Sequence, residues 1–256
     1  MIQLKNAKEL AVMRRACEIS ALALRRGGEA IEAGITTAEI DKIIFDFIKR
    51  QGAKPNFKGL YGFPGTACIS VNDEVIHGIP SHAKVIRPGD IVSIDTGAAF
   101  GGFNGDNACT FGCGKLDLEA QRLLDVTRES LHRGIAAAVF GARVGDISNA
   151  VQTYVESNGY SLVREYTGHG IGHTVHEEPE VPNYVPESGR NERLVPNMVI
   201  CVEPMVNAGT ADIRNKWMPD GWAVPMTADH KLAAHYENTI LITEAGPEIL
   251  TRCDED

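Results

Sequence analysis

Four carboxylates and three histidines have residue types and spacings that could do chemistry together. Asp95 and Asp106, whose midpoint falls at residues 100–101, flank a turn-like stretch, Ala99-Phe-Gly-Gly-Phe-Asn-Gly105. A tight hairpin there sets the two aspartates directly opposite one another, with Cβ atoms about 4.5–5.5 Å apart. Like charges so placed destabilise a sheet and ask for a compensating cation. If Glu203 and Glu237 join them, four carboxylates converge. Two of these at about 4 Å repel by roughly 4 kcal/mol at an effective dielectric of 20. Either protons or metal ions must resolve that repulsion. Taken singly, each acid reads better as a surface residue at the end of a strand.

Histidine shifts the balance toward a reactive site. His169 lies in Tyr166-Thr-Gly-His-Gly-Ile-Gly-His-Thr-Val-His176-Glu-Glu-Pro179. His169 and His173 are four residues apart, but Gly168, Gly170 and Gly172 argue against a helix. The run from His176 is not the His-Glu-x-x-His pattern of a zinc protease helix. A segment so rich in glycine and histidine makes a poor core strand, and is expected as a loop whose backbone passes close to a ligand. His77, in Glu74-Val-Ile-His-Gly-Ile-Pro80, has similar surroundings. Each of these histidines alone reads equally as a hydrogen-bonded structural residue.

Alternating helices and strands must position these groups. Asn6 with Glu9 and Thr36 with Glu39 are spaced as capping boxes. They open a helix over about 6–30, carrying Leu10, Met13, Cys17, Ala21 and Leu24, and a second carrying Ile40, Ile44, Phe47 and Ile48 that stops at Gly52. A third is expected from about Asp117 to Val139, and a fourth from about Asp146 to Gly159. Gly34, Ile40 and Gly52 align with Gly141, Ile147 and Gly159 at an offset of 107. Ile86–Asp95 aligns with Leu194–Glu203 at an offset of 108, each reading as turn, buried strand and terminal carboxylate. The repeat predicts an α+β fold of two similar halves, about 1–115 and 116–256, within one domain. They share a sheet with helices on its outer face, and a cleft receives Asp95 from one half and Glu203 from the other.

Composition sets the outer bounds. The chain has 256 residues, 43% of them hydrophobic and 23% charged, enough apolar content for a large core. A net charge of −9 argues against broad binding to a nucleic-acid backbone. No apolar run approaches the roughly 20 residues of a bilayer-spanning helix, and no secretory signal is read. Six scattered cysteines without a Cys-x-x-Cys pair read as reduced, mostly buried thiols, and Cys109 with Cys113 makes a poor zinc site. A cytoplasmic protein is expected, with a monomer as the default.

Six segments together carry a resemblance. Ile76-His77-Gly78-Ile79-Pro80, Ser93-Ile-Asp95-Thr-Gly97, Asn104-Gly-Asp106, Gly168-His169-Gly-Ile-Gly172 with His176-Glu-Glu-Pro179, Glu203-Pro204-Met205 and Glu237-Asn-Thr239 resemble the methionine aminopeptidases. They stand in that family's order over nearly the whole chain, and the length matches its compact type I form. The resemblance implies the pita-bread fold, two pseudo-symmetric αβ halves around a curved antiparallel sheet, with a dinuclear metal site. By motif, Asp95 would hold one ion, His169 and Glu203 the other, and Asp106 and Glu237 both. Such an oxygen-rich set points to Mn, Fe or Co rather than to thiolate zinc. A bridging water would become the nucleophile, and Glu203 would serve as general base and acid.

The resemblance also implies that His176 hydrogen-bonds the substrate carbonyl or its oxyanion, and that His77 contacts the backbone beside the scissile bond. An unbranched thioether needs an apolar, aromatic-lined pocket, for which Phe57, Phe63, Cys68 and Trp222 are the candidates. Leu60 and Phe63 stand where relatives often have tyrosine, and Val175 where an aromatic is frequent. The implied activity is removal of the initiator methionine from nascent chains with a small second residue, with transient ribosome contact. The rivals are a proline-directed peptidase, which usually has an added N-terminal domain, and a non-catalytic pita-bread binding protein, which would lack metal ligands. All five ligand positions are filled here.

Overall fold

Helix starts follow the expected caps. In the computed structural model, which describes residues 1–252, Asn6 Oδ1 accepts from the amides of Lys8 and Glu9, and the Glu9 carboxylate accepts from the Asn6 amide. Helix α1 (Ala7–Glu29) begins there. Thr36 and Glu39 cap each other in the same way at the start of α2 (Thr37–Arg50). The Asp117 side chain accepts from Ala120 N to open α3 (Leu118–Ala137). Helix α4 (Val144–Ser157) begins two residues before the expected Asp146. Asp146 is its third residue, and its carboxylate reaches back to the Arg143 amide at 2.7 Å.

Fourteen strands complete the described residues. The first four are β1 (Lys54–Pro55), β2 (Ala67–Val71), β3 (Ile91–Phe100) and β4 (Phe103–Gly112). After α4 come β5 (Ser161–Leu162), β6 (Gly168–Gly170), β7 (Glu177–Val181), β8 (Val199–Val202) and β9 (Met205–Asn207). The last are β10 (Ile213–Trp217), β11 (Ala223–Thr227), β12 (Ala233–His235), β13 (Glu237–Thr243) and β14 (Gly246–Ile249). The main antiparallel sheet runs β1-β3-β4-β13-β8-β6-β7, with β2 also on β3 and β14 on β13. A three-stranded sheet, β12-β9-β5, and the β10–β11 hairpin flank it.

The segments aligned in the sequence make matching backbone bonds. Gly34 N donates to Ile86 O at 2.9 Å, and Gly141 N to Leu194 O at 3.0 Å; Ile86 N returns to Ile35 O and Leu194 N to Ala142 O, both at 2.8 Å. Gly52 and Gly159 both end their helices at positive φ, 74° and 83°, where a side chain would strain the backbone. Two large cores back the sheet. Ile40, Ile44 and Ile48 of α2, at i, i+4 and i+8, pack with Ile19, Ala23 and Leu24 of α1 on β2 and β3. Leu123, Leu131 and Ile135 of α3 and Ile147, Val151 and Val155 of α4 pack on Ile200, Val202, Ile240 and Ile242. Each buried aliphatic side chain contributes about 1.5–3 kcal/mol, so the sheet that carries the acids is backed by both cores.

Candidate active site

Asp95 and Asp106 share a face, but not as opposed partners. The β3–β4 turn is the two-residue Gly101-Gly102, with φ of 58° and 86°, as a tight hairpin with the twist of its strands requires. Phe100 then pairs with Phe103, Gly97 with Asp106, and Asp95 with Ala108. The turn lies one residue further along than the expected midpoint, so the aspartates are diagonal neighbours. Diagonal side chains remain within mutual reach, and a cation can lie between them.

The other donors arrive from three elements. Glu237 opens β13 opposite Ala108, beside the aspartates. Glu203 follows β8, and His169 is the middle residue of β6. The expected loop at 168–170 is a strand, buried between β7 and β8. Its glycines are needed because a Cβ at 168 would fall on the Cys201 carbonyl, and one at 170 on that of Glu178. Crowding by neighbouring strands, rather than by a ligand, makes those positions glycine.

These groups are dry and under-satisfied. Asp106 is 2% exposed, Glu237 3%, and His169 and Glu203 9% each. Asp95 Oδ1, Asp106 Oδ1, Glu237 Oε1 and His235 Nε2 are buried without a hydrogen-bond partner. Burial, reinforced by neighbouring carboxylates, raises the pKa of Asp95 to about 7 and lifts those of Asp106 and Glu237 well above the ordinary range. Burial raises that of Glu203 to about 8. His169 is pushed down to about 3 by burial and by His176, so its imidazole is neutral. His169 Nδ1 bonds the Gly170 carbonyl at 2.9 Å, which makes Nδ1 the donor and leaves the Nε2 lone pair facing Glu203 Oε1 at 3.5 Å. Donor atoms of Asp95, Asp106 and Glu237 lie within 4.8 Å of one another, as do those of Glu203, His235 and Glu237. Buried acceptors without donors beside a neutral imidazole fit a pair of divalent cations.

A cavity of about 350 Å³ opens over these groups. Its other wall carries Phe57, Leu60, Phe63, Cys68 and Trp222, which belong to one hydrophobic cluster with Val175 and Ile79. All four expected pocket residues therefore line it, and Val175 occupies the place of an aromatic. His77 and His176 also face the cavity. His77 sits at φ 59° and meets Tyr166 edge-on at 5.3 Å, and burial lowers its pKa to about 4. Gly78 must lack a side chain because a Cβ there would strike the Ile69 carbonyl. The His176 ring lies 4.5 Å from that of His169 and stacks on Tyr61, whose hydroxyl is 3.3 Å from Nδ1. Its segment is held from below by a buried ion pair, Lys5 Nζ to Glu177 Oε2 at 2.6 Å.

Sequence reasoning missed two groups at the site. His235 is 2% exposed, with Nε2 3.5 Å from Glu203 Oε2. Cys201, expected only as one more buried thiol, lies within 4.8 Å of donor atoms of His169 and Glu237. Each precedes a carboxylate by two residues, so the period of an extended chain was the available signal. Among the described residues the five cysteines form no disulfide; Cys253 lies outside those residues.

With this fold and site established, the chain matches the metallopeptidase family M24 over residues 11–244. It belongs to that family. It is 51% identical to the methionine aminopeptidase of Clostridium perfringens, over 98% of this chain and 99% of that protein. Among solved structures it superposes on the methionine aminopeptidase of Thermotoga maritima with a TM-score of 0.93 at 41% identity, covering 99% of this chain and 100% of that one. Prolidase from Pyrococcus furiosus shares only the fold, with a TM-score of 0.76 at 24% identity over 98% of this chain and 66% of its own. The architecture is the α+β pita-bread fold.

Proposed function

We propose that the chain is a metal-dependent aminopeptidase that removes the initiator methionine from nascent polypeptides. The observation that carries this reading is one cavity with buried, unsatisfied carboxylates at its floor and an aromatic and aliphatic wall beside them. The floor fits two divalent cations, and the wall fits an unbranched thioether.

Asp95, Asp106, His169, Glu203 and Glu237 hold the ions, of which Mn, Fe or Co suit the donors best. Cations held there would supply acidification of a water and offset the negative charge that develops on the substrate carbonyl oxygen. Glu203, kept ionised once cations are bound, would take a proton from the attacking water and return it to the leaving amine. His176, a neutral imidazole whose Nδ1 faces the Tyr61 hydroxyl, presents Nε2–H to the substrate carbonyl. His77 bonds the backbone beyond the scissile bond. The methionine side chain lies among Phe57, Phe63, Cys68 and Trp222. The chain beyond the scissile bond must pass close to the metal site, which favours a small second residue.

The 256 residues act as one catalytic unit, a cytoplasmic monomer whose partners are nascent chains and, transiently, the ribosome. Its net charge of −9 disfavours nucleic-acid binding of its own. The test is hydrolysis of Met-Ala-Ser and Ala-Pro-Ala peptides by chelator-stripped protein resupplied with Mn, Co or Fe. Metal-dependent methionine release from the first peptide alone is expected. Cleavage of the second would move the protein to the proline-directed class, and silence on both would make the cluster a binding site.

A further inference from the structure

Cys201 sits on β8 two residues before Glu203 and pairs across the ladder with Thr239. Its thiol is fully buried, 3.5 Å from Thr239 Oγ1. The sulfur, a ring nitrogen of His169 and a carboxylate oxygen of Glu237 lie within 4.8 Å of one another. Glu237, 3% exposed, keeps Oε1 without a hydrogen-bond partner. His169 and Glu237 both line the cavity, which gives an ion its route in. Among the described residues no other cysteine joins such a trio; Cys68 lies on the opposite, apolar wall.

Imidazole, thiolate and carboxylate are the donors of a tetrahedral zinc-type site. A thiolate ranks cations differently from the oxygen set beside it, favouring soft ions over Mn or Fe. We propose that His169, Cys201 and Glu237 form an inhibitory site for a thiophilic divalent cation, Zn²⁺ or Cd²⁺, whose binding withdraws His169 and Glu237 from the activating pair. The inhibitory part rests on the reading of those two residues as ligands of the activating ions. On binding, the S–H bond breaks, a sulfur–metal bond forms, and the proton leaves through the cavity to solvent; no electron is transferred. The same cations that complete the site in modest amount would then inhibit in excess when they are thiophilic.

The experiment titrates Mn²⁺-loaded enzyme with CdCl₂. It reads the ultraviolet thiolate-to-cadmium absorption and, in parallel, hydrolysis of Met-Ala-Ser. Wild type is compared with Cys201→Ser, Cys201→Ala and, as a thiol control, Cys68→Ser, each checked for folding by circular dichroism. The band should saturate near one equivalent in wild type and Cys68→Ser and be missing in both Cys201 variants. Half-inhibition of Cys201→Ser should need roughly tenfold more cadmium, a factor worth about 1.4 kcal/mol. A band of wild-type size in the Cys201 variants overturns the site. A band that depends on Cys201, with inhibition at the same cadmium concentration in wild type and variants, overturns the inhibitory role. Absence of all hydrolysis in wild type, with the Cys201-dependent band present, instead overturns the peptidase reading and leaves the soft-ion site standing.

Discussion

Glu203 is positioned by two imidazoles, each with a ring nitrogen 3.5 Å from one of its oxygens, and burial keeps its proton affinity high. Glu203→Ala removes the group that moves protons in the reaction and should lower turnover by about 10²–10⁴-fold, with the circular dichroism spectrum unchanged. An active variant would take Glu203 out of the mechanism. His176 touches the site from the cavity side, with its ring on Tyr61. His176→Ala should lower kcat by about 10²-fold and leave metal stoichiometry by mass spectrometry unchanged; loss of metal would show that it is a ligand. In the sequence Asp95 and Glu203 stand out because each closes a repeat-related apolar run, and Asp106 because it flanks the turn, whereas His169 and Glu237 are proposed as ligands through the resemblance. His235 carries only one local signal, its two-residue spacing from Glu237, in an Ala-Ala-His-Tyr run that otherwise reads as core. Its meaning comes from β12 turning into β13 beside Glu203, a long-range fact.

At the scale of the element, glycines separate two kinds of constraint. Gly52 has positive φ with open space around it, whereas Gly170 has ordinary φ and the Glu178 carbonyl where a Cβ would go. Gly52→Ala should cost about 1 kcal/mol of backbone strain and leave metal binding intact. Gly170→Ala must push β6 away from β7, which should cost about 3 kcal/mol or more and displace His169, so metal affinity falls together with the urea midpoint. Equal costs for the two variants would mean that the β6–β7 contact yields more easily than its geometry implies. The same contrast explains the sequence reading. Helix starts and stops were legible from local capping chemistry and left-handed glycines. Gly168 and Gly170 read as loop because their cause, the squeeze between strands, involves residues distant in the chain. The hairpin register slipped for a related reason. Turn type fixes pairing, and moving the turn by one residue moves every partner by two.

For the whole molecule, the metal-free protein carries an electrostatic burden that depends on pH. Unfolded carboxyls titrate near 4 and unfolded histidines near 6.5. In the fold, Asp95 is raised to about 7 and Glu203 to about 8, so the folded chain holds protons that the unfolded chain has released. Stability therefore falls as pH rises from about 4 through about 8. His169, lowered to about 3, and His77, lowered to about 4, act in the opposite sense. Their unfolded forms bind protons that the fold refuses, so stability rises with pH, a trend finished above about 6.5. Below that pH the two slopes oppose; between 6.5 and 8 only the carboxylates remain. The thermal midpoint of chelator-stripped protein should accordingly be lower at pH 8 than at pH 6.5. Two bound cations keep the carboxylates ionised in the fold, which removes the excess protons and with them the slope. Metal-loaded protein should thus show a flat midpoint over the same window and a higher one throughout, by about 2.7 kcal/mol when free metal is 100 times its dissociation constant. A flat profile without metal would mean that the acids are already ionised in the fold, and the cluster would then not be the strained, cation-seeking arrangement that its unsatisfied oxygens indicate.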